Sequence, residues 1–182
     1  MKILSGKYKG KNFYQPAGIR PTQNITRQAI FDILGHDLTG IRFLDLYAGS
    51  GAVGFEAISL GAEHVTFVEK NPQCVGIIKK NSALLGLKTE CAEILEGDAM
   101  ATIKRFAREQ RQFDMVFLDP PYGPELAKKT LKTLRAYDIV PANCFVIIEH
   151  SNDEVLGESE GKFRLLRERG YGKSHITIYQ IE

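Results

Sequence analysis

Phe43-Leu44-Asp45-Leu46-Tyr47-Ala48-Gly49-Ser50-Gly51-Ala52-Val53-Gly54-Phe55-Glu56-Ala57 is the stretch on which the fold turns. Leading into it, Ile41 to Leu46 is an apolar run of strand length. On its far side, Val53 to Leu60 has the length of a short helix and stops at Gly61, a residue suited to a helix C-terminus. Between the two, Gly49, Gly51 and Gly54 take the spacing GxGxxG. Glycines there let the backbone approach a ligand where a Cβ would collide, and the following helix offers unpaired N–H groups at its start. A strand, a glycine loop and a helix in this order open a doubly wound α/β sheet, which gathers ligands at the carboxyl ends of its strands.

Outward from this unit, short apolar runs keep alternating with amphipathic ones. His64 to Val68, Ala92 to Leu95, Asp114 to Leu118 and Cys144 to Ile148 read as further strands. Helices are expected from Thr22 to Gly35, from Asn71-Pro72 to Leu85, over Ala99 to Arg111, and over Glu125 to Tyr137. The tail, Phe163 to Arg169 and Ser174 to Gln180 around Gly170-Tyr171-Gly172, reads as an antiparallel hairpin. The expectation is one α/β domain over residues 1–182, with a mostly parallel seven-stranded sheet finished by a C-terminal antiparallel hairpin. Residues 1–40 form a basic N-terminal arm or hairpin plus a helix.

With 182 residues such a domain can bury a sizeable core without disulfides or a structural metal. Cys74, Cys91 and Cys144 and the four histidines have no ligand spacing, so neither a metal nor a disulfide is expected. No run approaches the roughly 20 apolar residues that cross a bilayer, and the first residues lack a signal-peptide core, so a cytoplasmic protein without a membrane partner is expected. Net charge is +2, but it is segregated: residues 1–31 carry Lys2, Lys7, Lys9, Lys11, Arg20 and Arg27 and no acid. Interleaved with Tyr8, Phe13 and Tyr14, these cations suit phosphates and unstacked bases, which makes Lys7, Lys9, Lys11, Arg20 and Arg27 candidate RNA contacts.

Two acids join Asp45 at the strand ends. Glu69 follows the second strand, where a carboxylate can accept both hydroxyls of a ribose. Asp98 follows Gly97 after the third and can accept from an adenine amino group. Either NAD or S-adenosylmethionine (SAM) would satisfy these positions.

Asp119-Pro120-Pro121-Tyr122, directly after the fourth strand, separates the two. An exocyclic amino group on a base is a poor nucleophile because its lone pair is delocalised into the ring. The Asp119 carboxylate and the Pro120 carbonyl can accept its two N–H bonds and aim the nitrogen at a methyl carbon. Successive prolines preset the carbonyl direction, and Tyr122 can stack on an extruded base. A nicotinamide oxidoreductase would leave this motif and the basic arm unexplained, and a binding module would not need three converging acids. An adenine-N6 or cytosine-N4 DNA methyltransferase shares the motif but generally carries a separate target-recognition domain.

The sequence resembles the RsmD family of small-subunit ribosomal RNA guanine-N2 methyltransferases. The likeness runs through Gly6-Lys7-Tyr8-Lys9-Gly10-Lys11, Arg20-Pro21-Thr22, Leu44 to Gly51, Phe55-Glu56-Ala57 and Asp119-Pro120-Pro121-Tyr122. The resemblance implies a Rossmann-like class I SAM-dependent methyltransferase fold. It implies that SAM is held by Asp45, Tyr47, Ala48, Gly49, Ser50 and Gly51, by Glu69 with Lys70, and by Asp98 with Ala99. It adds Thr22 to the RNA-facing residues, and makes the substrate a guanine amino group of 16S rRNA in an assembling small subunit, approached by a monomer.

Overall fold

The computed structural model describes residues 1–16, 24–121 and 125–182. Its elements are α1 (Asn24–Leu34), β1 (Arg42–Leu46), α2 (Ala52–Ser59), β2 (His64–Glu69), α3 (Pro72–Leu84), β3 (Ala92–Glu96) and α4 (Ala99–Arg108). There follow β4 (Met115–Leu118), α5 (Leu126–Ala136), β5 (Phe145–Ser151), β6 (Ser159–Glu160), β7 (Phe163–Tyr171) and β8 (Ser174–Ile181). They build one sheet in the order β3-β2-β1-β4-β5-β8-β7-β6. The first five of these strands are mutually parallel, and β8 runs antiparallel to both β5 and β7.

The strand alternation that a sheet imposes sorts the core into two halves. Phe43, Phe67, Phe117 and Ile147 point to one face, where Ile30 and Phe31 of α1, Val53 and Phe55 of α2 and Ile78 of α3 cover them. Leu44, Val68, Val116 and Val146 point to the other, under Ile103 and Phe106 of α4 and Leu131 and Leu134 of α5. The chain moves from β1 to β2 on one side and later places β4 on the other, so the order reverses between β1 and β4. Doubly wound folds open their ligand crevice at such a reversal.

Three details depart from the sequence reading. The sheet has an eighth strand: two-residue β6 pairs with β7 and is too short to show a period. Strand β7 carries a bulge between Leu165 and Arg167, which alternation in the sequence does not announce. Helix α4 ends at Arg108 rather than Arg111, because Gln110 adopts φ 55 and the amides of Gln110 and Arg111 fold back onto the carbonyls of Ala107 and Phe106, at 3.1 and 2.9 Å. That is a Schellman closure built on Gln, with no glycine to mark it. Freed from the helix, Arg111 reaches Glu93 at 2.6 Å and Thr66 Oγ1 at 3.1 Å.

Ahead of α1 the arm folds as a small hairpin bridging Lys2 and Asn12, with Ile3 and Phe13 buried in the core. The Phe13 ring lies 6.2 Å from that of Phe55 on α2. Among the described residues no helix is long and apolar enough to cross a membrane.

Candidate functional site

In the parallel register Leu46 stands beside Val68 on one side and Leu118 on the other. The loop after β1, Glu69 and Asp119 therefore leave the sheet at the same end. Neighbouring strands lie about 4.8 Å apart, so the glycine loop and the Asp119-Pro120 segment emerge side by side at the reversal point. Glu69 is in register with Glu96, which brings the start of α4 to the same edge.

Each glycine of the loop does something different. A Cβ on Gly54 would run into the ring of Phe67, so its absence lets α2 lie close against β2. One on Gly51, at φ 78, would stand 2.7 Å from the Phe55 ring. At Gly49, φ 55, the nearest atom is a carbonyl 4.0 Å away, so this part of the loop faces open space into which a ligand can approach. Tyr47 also takes a left-handed backbone, φ 63, and its hydroxyl meets Thr130 Oγ1 of α5 at 2.6 Å. The loop is thereby tied to the helix that follows Asp119.

The three acids hold this edge together. Asp45, buried, accepts the amide of Gly54 at 3.0 Å, and burial pushes its carboxyl up to about 7, with the Gly54 N–H opposing and the charge of Glu69 adding to the rise. Half-buried Glu69 accepts the amides of Gly49 and Asn71, each at 2.8 Å, while its carbonyl accepts Gly97 N–H at 3.0 Å. One carboxylate thus fixes the loop and the start of α3. Asp98 is exposed and caps α4, accepting Ala101 N–H at 2.9 Å through one oxygen. Ser50 and Ala99 are buried, whereas Lys70 is exposed.

Asp119 is half-buried, Pro120 buried and Pro121 exposed. Tyr122 lies outside the described residues, as do Arg20 and Thr22. Lys7, Lys9 and Lys11 are all exposed, with Lys7 Nζ 5.3 Å from the Tyr8 ring centroid.

Arg27 requires a correction. Expected as an RNA contact, it is fully buried, at 0% exposure, and cannot reach a polynucleotide. Its guanidinium donates to the Lys2 carbonyl and to Asn24 Oδ1, both at 2.9 Å, sits 3.9 Å from Glu56 and lies over Phe13. Burial lowers its pKa, and Glu56 works against that fall. The charge count registered a cation but not that α1 turns it inward.

Glu56 is its counterpart and was missed. From α2 it accepts the amides of Leu4 and Ser5, at 3.0 and 2.6 Å, and the Ser5 hydroxyl at 2.9 Å. Asn81, fully buried on α3, was missed as well. It accepts Tyr14 N–H at 2.7 Å, donates to the Tyr14 carbonyl at 3.0 Å and to the Ser50 carbonyl at 3.3 Å. The arm is thus pinned to the helix after the glycine loop and, through Asn81, to the loop itself. A lone carboxylate in the otherwise apolar run 52–58 is a signal that could have found Glu56, since a buried charge demands partners.

Comparison with known proteins agrees with this fold. The family described as Conserved hypothetical protein 95 matches residues 1–180. A Bacillus subtilis protein named as the rRNA methyltransferase YlbH is 34% identical over 99% of this chain and 98% of its own. Ribosomal RNA small subunit methyltransferase D of Haemophilus influenzae is 31% identical, over 99% and 93%. Among solved structures, the methyltransferase yhhF of Escherichia coli superposes with a TM-score of 0.87 at 26% identity, covering 100% of this chain and 98% of the other. The chain therefore belongs to the Conserved hypothetical protein 95 family, as one of its RsmD-like methyltransferases, and has the Rossmann-like fold of SAM-dependent methyltransferases.

Proposed function

We propose that the chain transfers the methyl group of SAM to the exocyclic N2 amino group of a guanine in 16S rRNA, acting as a cytoplasmic monomer on an assembling small subunit. The observation that carries the reading is the register of β1 with β4, which sets the glycine loop beside Asp119-Pro120. The names of the relatives, ribosomal RNA small subunit methyltransferase D among them, support the substrate class.

The residues at this edge suit the cofactor. Open space at Gly49 admits a ligand against the loop backbone, and Glu69 and Asp98 retain acceptor capacity for ribose hydroxyls and an adenine amine. SAM would supply an electrophilic methyl on a sulfonium and, once its S–CH3 bond is broken, would leave as S-adenosylhomocysteine while the amine releases one proton. The chain's own contribution is positioning and electrostatics. Asp119 and the Pro120 carbonyl accept the two N–H bonds of the amine and hold its nitrogen toward the loop, and the carboxylate stabilises the positive charge that grows on that nitrogen. Tyr122 stacks on the base. Lys7, Lys9 and Lys11, with Arg20 and Thr22, bind flanking RNA.

The test is methyl transfer from radiolabelled SAM to protein-free 16S rRNA and to small-subunit particles from an unmodified strain, with mass-spectrometric mapping of the product. N2-methylguanine is expected; N6-methyladenine or N4-methylcytosine, or tight NADH binding without SAM binding, would overturn the reading. Asp119→Ala should lose at least about 100-fold in transfer, in the range of a lost transition-state hydrogen-bond partner, while SAM affinity is kept.

A further inference from the structure

We propose that the outer face of α4 and α5, on the side of the sheet away from the arm, is a second RNA-backbone surface. It rests on the reading of an RNA substrate given above and extends it to a part of the molecule the arm does not reach.

The surface is defined by charge and by packing. Within its span α5 carries Lys128, Lys129, Lys132 and Arg135 and no acid, and all four are exposed. Its inward residues, Ala127, Thr130, Leu131 and Leu134, occupy the opposite side, so the cations form a stripe along the outside. Neighbouring α4 adds exposed Lys104, Arg105 and Arg108, again with no acid in its span. The helices close over one apolar cluster, and Lys104 Nζ of α4 lies 6.0 Å from the ring centroid of Tyr137 at the end of α5. The two basic sides are thus one surface. Glu109, just past α4, pairs with Arg105 at 3.4 Å.

Helix stability does not explain the arrangement. Lys128 and Lys132 are four residues apart, and Lys129 and Lys132 three apart. Like charges at such spacings disfavour an exposed helix. Lys128 and Lys129 also stand in the first turn, where the helix dipole disfavours cations; the N-cap Glu125 is the one acid adjoining that turn in sequence. Glu154 reaches this turn from the β5–β6 connection, but it accepts the backbone amide of Lys128, at 3.1 Å. A polyanion laid along the stripe would relieve the repulsion among these lysines.

The location fits the same substrate. Helix α5 follows the Asp119-Pro120 segment, so its first turn lies at the strand-end edge where the target base would enter. RNA delivering a nucleotide there could be held on one side by the arm hairpin and on the other by the first turns of α5. Helix α5 spans about 16 Å along its axis, enough for consecutive backbone phosphates rather than one anion.

The test compares the wild-type chain with Lys128→Ala/Lys129→Ala/Lys132→Ala in binding 16S rRNA over a salt series, with SAM affinity and methyl transfer measured on the same samples. Alanine favours helix at these exposed positions, so folding is retained. The expected result is a log–log salt slope shallower by about 2, close to three lost phosphate contacts on single-stranded RNA. Affinity at low salt should fall at least about tenfold, with SAM affinity unchanged. The Lys→Arg triple variant should keep the wild-type slope. An unchanged slope in the alanine variant overturns the proposal even if methyl transfer to rRNA is intact. Absence of transfer by the wild type overturns the substrate reading instead, and leaves the slope comparison to decide whether this face binds RNA.

Discussion

The two faces of the sheet are closed by different chemistry. Under α4 and α5 the contact is mainly apolar, with Ile103, Phe106, Leu131 and Leu134 set on Leu44, Val116 and Val146, and its buried polar contact at α5 is between two side chains, Thr130 and Tyr47. On the other face an apolar core is threaded by buried polar groups. Arg27, Glu56 and Asn81 bind the backbone of Lys2, Leu4, Ser5, Tyr14 and Ser50. The difference follows from what each face must hold. A helix satisfies its own backbone and needs only an apolar stripe. An irregular arm leaves amides and carbonyls that must find partners when they are covered. Buried side chains supply those partners, and they also specify where the arm lies relative to the glycine loop.

The comparison breaks most readily at Glu56. Glu56→Ala removes an acceptor from three donors and strands the Arg27 charge, so chemical denaturation should show a loss of about 3–5 kcal/mol. Hydrogen exchange at Leu4 and Ser5 should quicken in the same variant. Leu131→Ala on the apolar face should cost about 2–5 kcal/mol through the cavity it leaves, with arm exchange unchanged apart from the global loss. Matching exchange patterns in the two variants would erase the distinction between the faces. Gly54→Ala forces a methyl into the Phe67 ring and should cost about 1–3 kcal/mol. In that case Gly54→Ala/Phe67→Leu should recover part of the loss.

A pH titration gives the smallest effect. Asp45 has a folded pKa raised from 3.8 to about 7, so the folded state keeps a proton that the unfolded chain has released. That contribution to stability is fully present below the unfolded pKa and is lost as pH rises through 7. Between about pH 6 and 8 the loss should be on the order of 1 kcal/mol. Asp45→Asn, which cannot ionise, should flatten the unfolding profile over that window, and an unchanged profile would mean that another group carries the slope.

Much of the architecture was legible because local signals agree with the global fold. The apolar runs at 41–46, 64–68 and 114–118 are strands buried on both faces, and Gly61 and Asn71-Pro72 mark helix ends that the structure keeps. The strand ends could be located for the same reason, which put Glu69, Asp98 and Asp119 at one edge. What the sequence concealed depends on tertiary contact. Nothing local distinguishes buried Arg27 from exposed Lys7, Lys9 and Lys11, since inward or outward is decided by how α1 docks. Asn81 on α3 likewise reads as an ordinary helix-surface amide until Tyr14 arrives beside it. The Gln110 turn was hidden because its left-handed backbone occurs without the residue that usually betrays it.

The position of β8 constrains how the molecule is made. Residues 174–181 lie between β5 and β7, inside the sheet rather than at its margin. Until they leave the ribosome, the nascent chain displays Phe145 to Ser151 as a bare hydrophobic edge, the kind of template that recruits other strands. Maturation therefore waits on the docking of the β7–β8 hairpin against β5, a pairing between segments distant in sequence. A ribosome stalled before Ser174 would release a species prone to aggregation.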